Sequence, residues 1–173
     1  MICGVDFCLQ LVDKSITRRA DLEVIVPTIE YVVVADHAEA INGKLYLSGA
    51  GWTDLRQPPG ADGQPGYVHM GVAVSILVGW TETNRRFPLL VTIEHEDGAE
   101  LSRVEGQIEA GRPPGATEGA DFRSVLAIGV EIQFPRPGGY RVRAQLGEHD
   151  ERIVSFRVHH PPAAHGQTGP QRP

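Results

Sequence analysis

Residues 139–158 read GYRVRAQLGEHDERIVSFRV. Tyr140, Val142, Ala144 and Leu146 alternate with Arg141, Arg143 and Gln145. A polar turn follows, and then Val154, Phe156 and Val158 alternate with Ser155 and Arg157. A period of two sends successive side chains to opposite faces of a strand, so each run predicts one buried face and one wet face. The stretch therefore predicts a β-hairpin, set off from the strand before it by Pro135, Pro137, Gly138 and Gly139. It has the pattern of the last two strands of an immunoglobulin-like sandwich, which is a scaffold signal and carries no chemistry.

Working back from that hairpin, the chain reads as further strands. Phe122–Phe134 places Leu126, Ile128, Val130, Ile132 and Phe134 on one side. Phe87–Glu96 alternates Leu89, Val91 and Ile93 inward with Thr92 and Glu94 outward, and ends at an Asp97-Gly98 turn. Leu101–Ala110 is its more polar partner. Val68–Trp80 is apolar on both faces, as a central strand requires; Gly71, Gly79 and the β-branched content argue against a buried helix. Tyr31–Asp36 is rich in β-branched residues. Asn42-Gly43 suits a type I′ turn, so Tyr31–Asp36 and Lys44–Gly49 are expected to form the first hairpin, with Ala38–Ile41 extending the strand or making one helical turn. The polar segments 56–66 and 111–121 are expected to be mobile loops.

About eight strands and no long helix predict an all-β fold: a two-sheet antiparallel immunoglobulin-like sandwich. It occupies residues 29–158. Residues 1–28 read as a weakly ordered extension and 159–173, with four prolines, as a disordered tail.

Composition narrows the function classes. The 173 residues are 41% hydrophobic, enough for one domain with its own core. Net charge is −6 and the aromatic share is 6%, which disfavours nucleic-acid binding by a basic surface or a stacking platform. The longest uncharged apolar run, about Met70–Trp80, is shorter than the ~18 residues that span a bilayer. No basic n-region precedes the apolar stretch near Val5–Val12. Cys3 and Cys8 form a lone pair with no second pair to complete a zinc site, and read as reduced thiols. The expected setting is cytoplasmic, with no nucleic-acid or membrane partner.

The order of features over Tyr31–Trp52, YVVVADHAEAINGKLYLSGAGW, resembles a family of uncharacterised bacterial single-domain proteins. These have an apolar strand ending in an acidic residue (Asp36), an NGK turn (Asn42-Gly43-Lys44), a short strand (Leu45–Leu47) and a Gly-rich step (Gly49, Gly51) to Trp52. The long central strand, the acidic hairpin turn and the Pro-Gly-Gly-Tyr hairpin extend the resemblance over residues 29–158. It implies a β-sandwich and no catalytic residues.

Candidate chemistry is thin. His37, His69, His95 and His149 lie in the body without a local metal-ligand motif, and a zinc site needs three or four converging ligands. Two acidic turns, Glu94–Asp97 and Glu148–Glu151, would hold Ca²⁺ only if they share one pole of the sandwich. Ser48, Ser75 and Ser102 lack a nucleophile elbow, and no phosphate loop occurs. No cofactor, metal or catalytic residue is expected. The favoured reading is a non-catalytic protein-binding or structural module; the alternative is a small metal-dependent or hydrolytic enzyme on the sandwich loops, with His37 or His95 near a carboxylate or nucleophile. Trp52 and Trp80 each end a strand and read as plugs of the core ends. The first hairpin carries few charges to guard its backbone edge. A protein partner or a second copy is therefore expected there, through Tyr31, Leu45, Tyr46 and Trp52; the alternative is a monomer whose first hairpin is covered by the N-terminal arm.

Overall fold

The computed structural model describes residues 27–60, 64–148 and 150–160. The proposed extension, up to Val26, and the tail beyond His160 lie outside the described residues. Ten strands follow one another: β1 (Thr28–Ala35), β2 (His37–Ile41), β3 (Lys44–Ser48), β4 (Asp54–Arg56), β5 (Val68–Val78), β6 (Arg86–His95), β7 (Glu100–Glu109), β8 (Phe122–Ile132), β9 (Gly138–Leu146) and β10 (Asp150–His159). The only helical element among the described residues is one 3₁₀ turn, Trp80–Glu82.

Two sheets face each other. One has the order β1-β5-β8 and the other β4-β10-β9-β6-β7; β2 and β3 pair only with each other. Every pairing is antiparallel except β4 beside β10. The core fills the space between the sheets. Val72, Val74, Ile76 and Val78 of β5 meet Leu89, Val91 and Ile93 of β6 and Tyr140, Val142, Ala144 and Leu146 of β9 in one buried cluster. Each of the valine, leucine and isoleucine side chains stabilises the fold by about 1.5–3 kcal/mol through burial. β9 and β10 pair from Leu146 with Asp150 to Gly138 with Val158, the hairpin its alternation predicts. Tyr140, two residues into β9, donates its hydroxyl hydrogen to the carbonyl of Arg136 at 2.8 Å. This i−4 bond is a tyrosine corner, which fixes the chain's entry into a sandwich strand.

The first hairpin differs from expectation. Lys44–Ser48 pairs with His37–Ile41, whereas β1 pairs with β5. The cause is the turn. Asn42 and Gly43 have φ of 51° and 73°, and a two-residue turn of this type brings Ile41 opposite Lys44. The return strand then reaches only as far back as His37. At Asp36 the chain bends out of the sheet, its amide donating to the carbonyls of Ser48 and Gly49. The Asp36 carboxylate occupies the space where a side chain on Gly49 (φ 61°) would stand.

The ribbon β2–β3 then lies against β5 and β8 on the outer side of the three-stranded sheet. Gly71 makes this possible: a Cβ there would stand 2.5 Å from the Ala38 amide nitrogen. On its outer face β5 thus buries Gly71 and Ala73, and also Ser75, whose hydroxyl donates to Glu30 at 2.8 Å.

The segments expected to be mobile are tied at specific points. The Gln57 side chain donates to the Gly66 carbonyl at 2.6 Å, and the Gly66 amide to that of Pro58 at 2.8 Å, closing the base of the first loop. Arg112 fastens the second, donating to Thr83 Oγ1 and the Trp80 carbonyl, both at 2.6 Å. Its guanidinium lies 4.1 Å from the Trp80 ring centre. Trp80 is consequently half-buried between Phe122 and Arg112 rather than plugging the core.

Candidate functional site

Alternation along the β2–β3 ribbon separates two faces. Ala38, Ala40, Leu45 and Leu47 share one face, since Ala38 pairs with Leu47 and Ala40 with Leu45. Ala38 is buried against Gly71, which turns this face toward the sheet. His37, Glu39, Ile41, Lys44, Tyr46 and Ser48 share the other face and meet solvent. Tyr31 belongs to the same side of the molecule. Val32 and Val34 point into the core, so Tyr31 points away from it, opposite Ser75.

Tyr31 is 41% exposed, Ile41 47%, Tyr46 52% and Leu47 37%. Seven large apolar side chains are exposed among the described residues, and these four fall within residues 31–47. Of the four residues expected at an interface, Tyr31 and Tyr46 are exposed and Leu45 is half-buried. Trp52 is also half-buried, edge-on to Phe156 with ring centres 5.2 Å apart, and packs against the core cluster. Ile41, Leu47 and the exposed Tyr67 were not picked out from the sequence. Alternation of Lys44–Ser48 sets Leu47 beside Leu45 on the sheet-facing side, so its exposure needed the structure, as Ile41 needed the true pairing.

His37 stacks on His69 with centroids 5.9 Å apart, and His37 Nε2 lies 3.2 Å from Glu39 Oε1. Ser48 stands opposite His37 in the ribbon, but no hydrogen bond joins their side chains among the described residues. His95 is buried and rests edge-on against Tyr140; its Nδ1 lies 2.9 Å from Asp97 Oδ1. Both histidines thus meet a carboxylate, as the catalytic alternative expects; among the described residues no hydrogen bond joins either to a serine or threonine hydroxyl. The Ala99 amide, His95 and Arg136 hold the Asp97 carboxyl far below its ordinary range. Those bonds close the Asp97-Gly98 turn. No three His, Cys, Asp or Glu side chains among the described residues converge on a common metal position. His149 lies outside the described residues.

The two acidic turns sit at opposite poles. The Glu96 amide donates to Gly139, whereas Gly147 donates to Pro88, at the other end of β6. Among the described residues of the two turns, only Glu94 and Glu151 approach each other, and the Arg143 guanidinium lies between that pair. Their carboxylates face arginines instead: Glu94 bonds Arg141 at 2.5 Å and Arg143 at 3.0 Å, and Arg143 also bonds Glu151 at 2.7 Å. This ladder covers the outer face of the five-stranded sheet and explains why the outward Thr92 is buried. Beside it, Gly139 and Ser155 leave a depression of about 460 Å³ flanked by Glu96, Asp54, Arg141 and Arg157. Its charges are of both signs; at its rim Thr53 Oγ1 donates to Asp54 Oδ2 at 3.1 Å, and Asp54 Oδ1 lies 2.7 Å from His159 Nε2.

Among solved structures, the chain is similar to a glycosyl hydrolase family 2 member from Bacteroides cellulosilyticus DSM 14838. The TM-score is 0.40 at 13% identity, over 53% of this chain and 13% of that one. It is similar to a β-glucosidase from Listeria innocua with a TM-score of 0.38 at 10% identity, over 64% of this chain and 15% of that one. The chain thus spans about one seventh of the length of these enzymes. Nothing among the curated proteins matches it. No helix among the described residues is long and apolar enough to cross a membrane. Residues 30–159 match the model of a family of unknown function, DUF6941, and the chain belongs to that family.

Proposed function

We propose that this domain is a non-catalytic contact module that binds a protein through the outer side of its three-stranded sheet, centred on the β2–β3 ribbon. The observation that carries this reading is the presence of exposed Tyr31, Ile41 and Tyr46 on the outward side of the three-stranded sheet and its ribbon. Clustered exposed apolar and aromatic groups mark contact surfaces, whereas scattered single ones do not. The tyrosine corner at Tyr140 supports the immunoglobulin-like form of the sandwich, a scaffold that presents such surfaces. We place the contact in the cytoplasm, as the composition suggests. The alternative of a loop-borne metal-dependent or hydrolytic enzyme has less support, because His95 and Asp97 are engaged in closing their own turn.

The test is site-specific photo-crosslinking in cells. A photo-reactive residue replaces Tyr46, and in a control replaces Ile153, an exposed apolar residue on the opposite sheet. The expected result is one discrete adduct from position 46, abolished by Ile41→Asp, and none from position 153. Equal labelling from both positions, or none from position 46, would refute the assignment.

A further inference from the structure

We propose that β8 is a dimerisation edge: a second copy of this chain pairs antiparallel with it about a twofold axis at Ala127. The edge is distinct from the ribbon face above.

β8 ends the three-stranded sheet, so one side of its backbone is unpaired among the described residues. It is eleven residues long and pairs with β5 without a register break. Such a regular edge is a template for another strand, and proteins commonly blunt it with charges, bulges or coverings. The other edges are blunted. On β1 there is a register shift between Ile29 and Tyr31, and the Gly51 amide donates to the Val34 carbonyl. β4 is three residues long. β7 carries Arg103 bonded to Glu100 and Glu105, and its pairing shifts near Glu94. Between Arg123 and Glu131, β8 has no charge at all.

The packing of β8 is also incomplete. Leu126, Ile128 and Val130 face the core yet stay half-buried, while Val72, Val74 and Ile76 beside them on β5 are sealed. A crevice of about 230 Å³ opens there between the sheets, lined by Leu89, Val91, Val104, Ile108, Leu126 and Ile128. A strand added beside β8 would place apolar side chains over this opening.

The β8 sequence is complementary to itself in one register. With Ala127 on the axis, Leu126 stands opposite Ile128 of the second copy, Val125 opposite Gly129, and Arg123 opposite Glu131. Apolar side chains therefore meet on the core face, and an ion pair forms at each end of the outer face. Arg123 has capacity for a second carboxylate. It uses Nε and Nη2 on Glu30, leaves Nη1 without a partner among the described residues, and is 64% exposed. Although the ribbon packs nearby, Gly129 and Glu131 remain exposed. A twofold interface uses the same patch on both copies, as this register requires.

Sedimentation velocity on the full chain over a concentration series should show a reversible dimer. Arg123→Glu and Glu131→Arg each set like charges opposite one another twice, and each alone should weaken the dimer about tenfold or more. Mixed in equal amounts, the two variants are complementary and should dimerise again. Circular dichroism and melting of each variant confirm that it is folded. In a chain carrying Cys3→Ser and Cys8→Ser, Ala127→Cys should oxidise to a covalent dimer, and Val125→Cys should not. Tyr46→Ala should leave the dimer intact, which separates failure here from failure of the ribbon contact. A chain that stays monomeric throughout overturns the proposal. So does a dimer indifferent to both charge reversals, a mixture that fails to recover, or a protein that pairs only once residues 1–26 are removed.

Discussion

Replacing Gly71 by alanine should detach the β2–β3 ribbon from the sheet beneath it. The added Cβ would lie 2.5 Å from the Ala38 nitrogen, 2.7 Å from its Cβ and 2.9 Å from the His37 carbonyl carbon. Comfortable separations between carbon atoms are about 3.5–4.0 Å, so β2 must move outward by roughly 1 Å. The obstacle is backbone, and no rotamer change relieves it. Overpacking of this kind costs about 1–3 kcal/mol. Alanine also lowers the entropy of the unfolded chain, which offsets about 0.4–1 kcal/mol. The net expectation is a loss of about 1–2 kcal/mol. In urea, with a slope of about 2 kcal/mol per molar, the midpoint should fall by roughly 0.5–1 M. Gly129 is the internal control: it pairs with Gly71, but its added Cβ would meet only His69 Cε1, at 3.6 Å. Gly129→Ala should be neutral or slightly stabilising. Amide chemical shifts of Ala38 and its neighbours should change in the first variant and not in the second. A Gly71→Ala protein as stable as the parent, with an unchanged Ala38 resonance, would refute this account of ribbon docking.

Tyr140→Phe removes the hydroxyl donor to the Arg136 carbonyl while leaving the ring against His95 and Phe134, and should cost about 0.5–1.5 kcal/mol in chemical denaturation. No loss would mean that the corner does not brace the β8–β9 connection. Acid should weaken the fold through Glu94. Burial raises its pKa, but the bonds from Arg143 and Arg141 outweigh this and leave it below the ordinary 4.5. A carboxylate whose pKa is lowered on folding contributes its full stability above its unfolded value and loses it as pH falls through the folded one. Stability should therefore drop below about pH 4.5, and Glu94→Gln should cost about 1.5–3 kcal/mol at pH 7 while flattening that drop. Parallel pH curves for the two proteins, measured by urea midpoints, would remove Glu94 from the explanation.

Much of the architecture was legible because strand periodicity is local. The alternation in 139–158 and in Phe87–Glu96, and the unbroken apolar run of Val68–Trp80, each report which faces are buried without reference to distant residues. The turn at Asn42-Gly43 was equally legible, since positive φ at consecutive positions selects those residue types. The partner of the first strand was not. Only the absence of a side chain at Gly71, across the sheet, shows that β2 lies on its outer face. β4 was missed because three residues carry too little periodicity and its partner, β10, lies about a hundred positions later.

The candidate site divides in the same way. Tyr31 and Tyr46 could be named from the sequence because an aromatic residue on a two-faced strand has only two directions to point. Trp52 was placed on the same contact, but its environment is set by Phe156, far along the chain. The acidic turns could be found from the sequence, yet their separation to opposite poles follows from the antiparallel pairing of β6 with β9.

By itself, then, the amino-acid order determined the strands, their buried faces and the turn types, because those follow from φ preferences and side-chain alternation within a few residues. Tertiary structure alone decided which strands are neighbours beyond the β6–β7 and β9–β10 hairpins, which edge stays open and which charges meet. Those depend on register between segments separated by up to about a hundred residues, and hydrophobic burial rewards many pairings almost equally until packing details such as Gly71 against Ala38 select one.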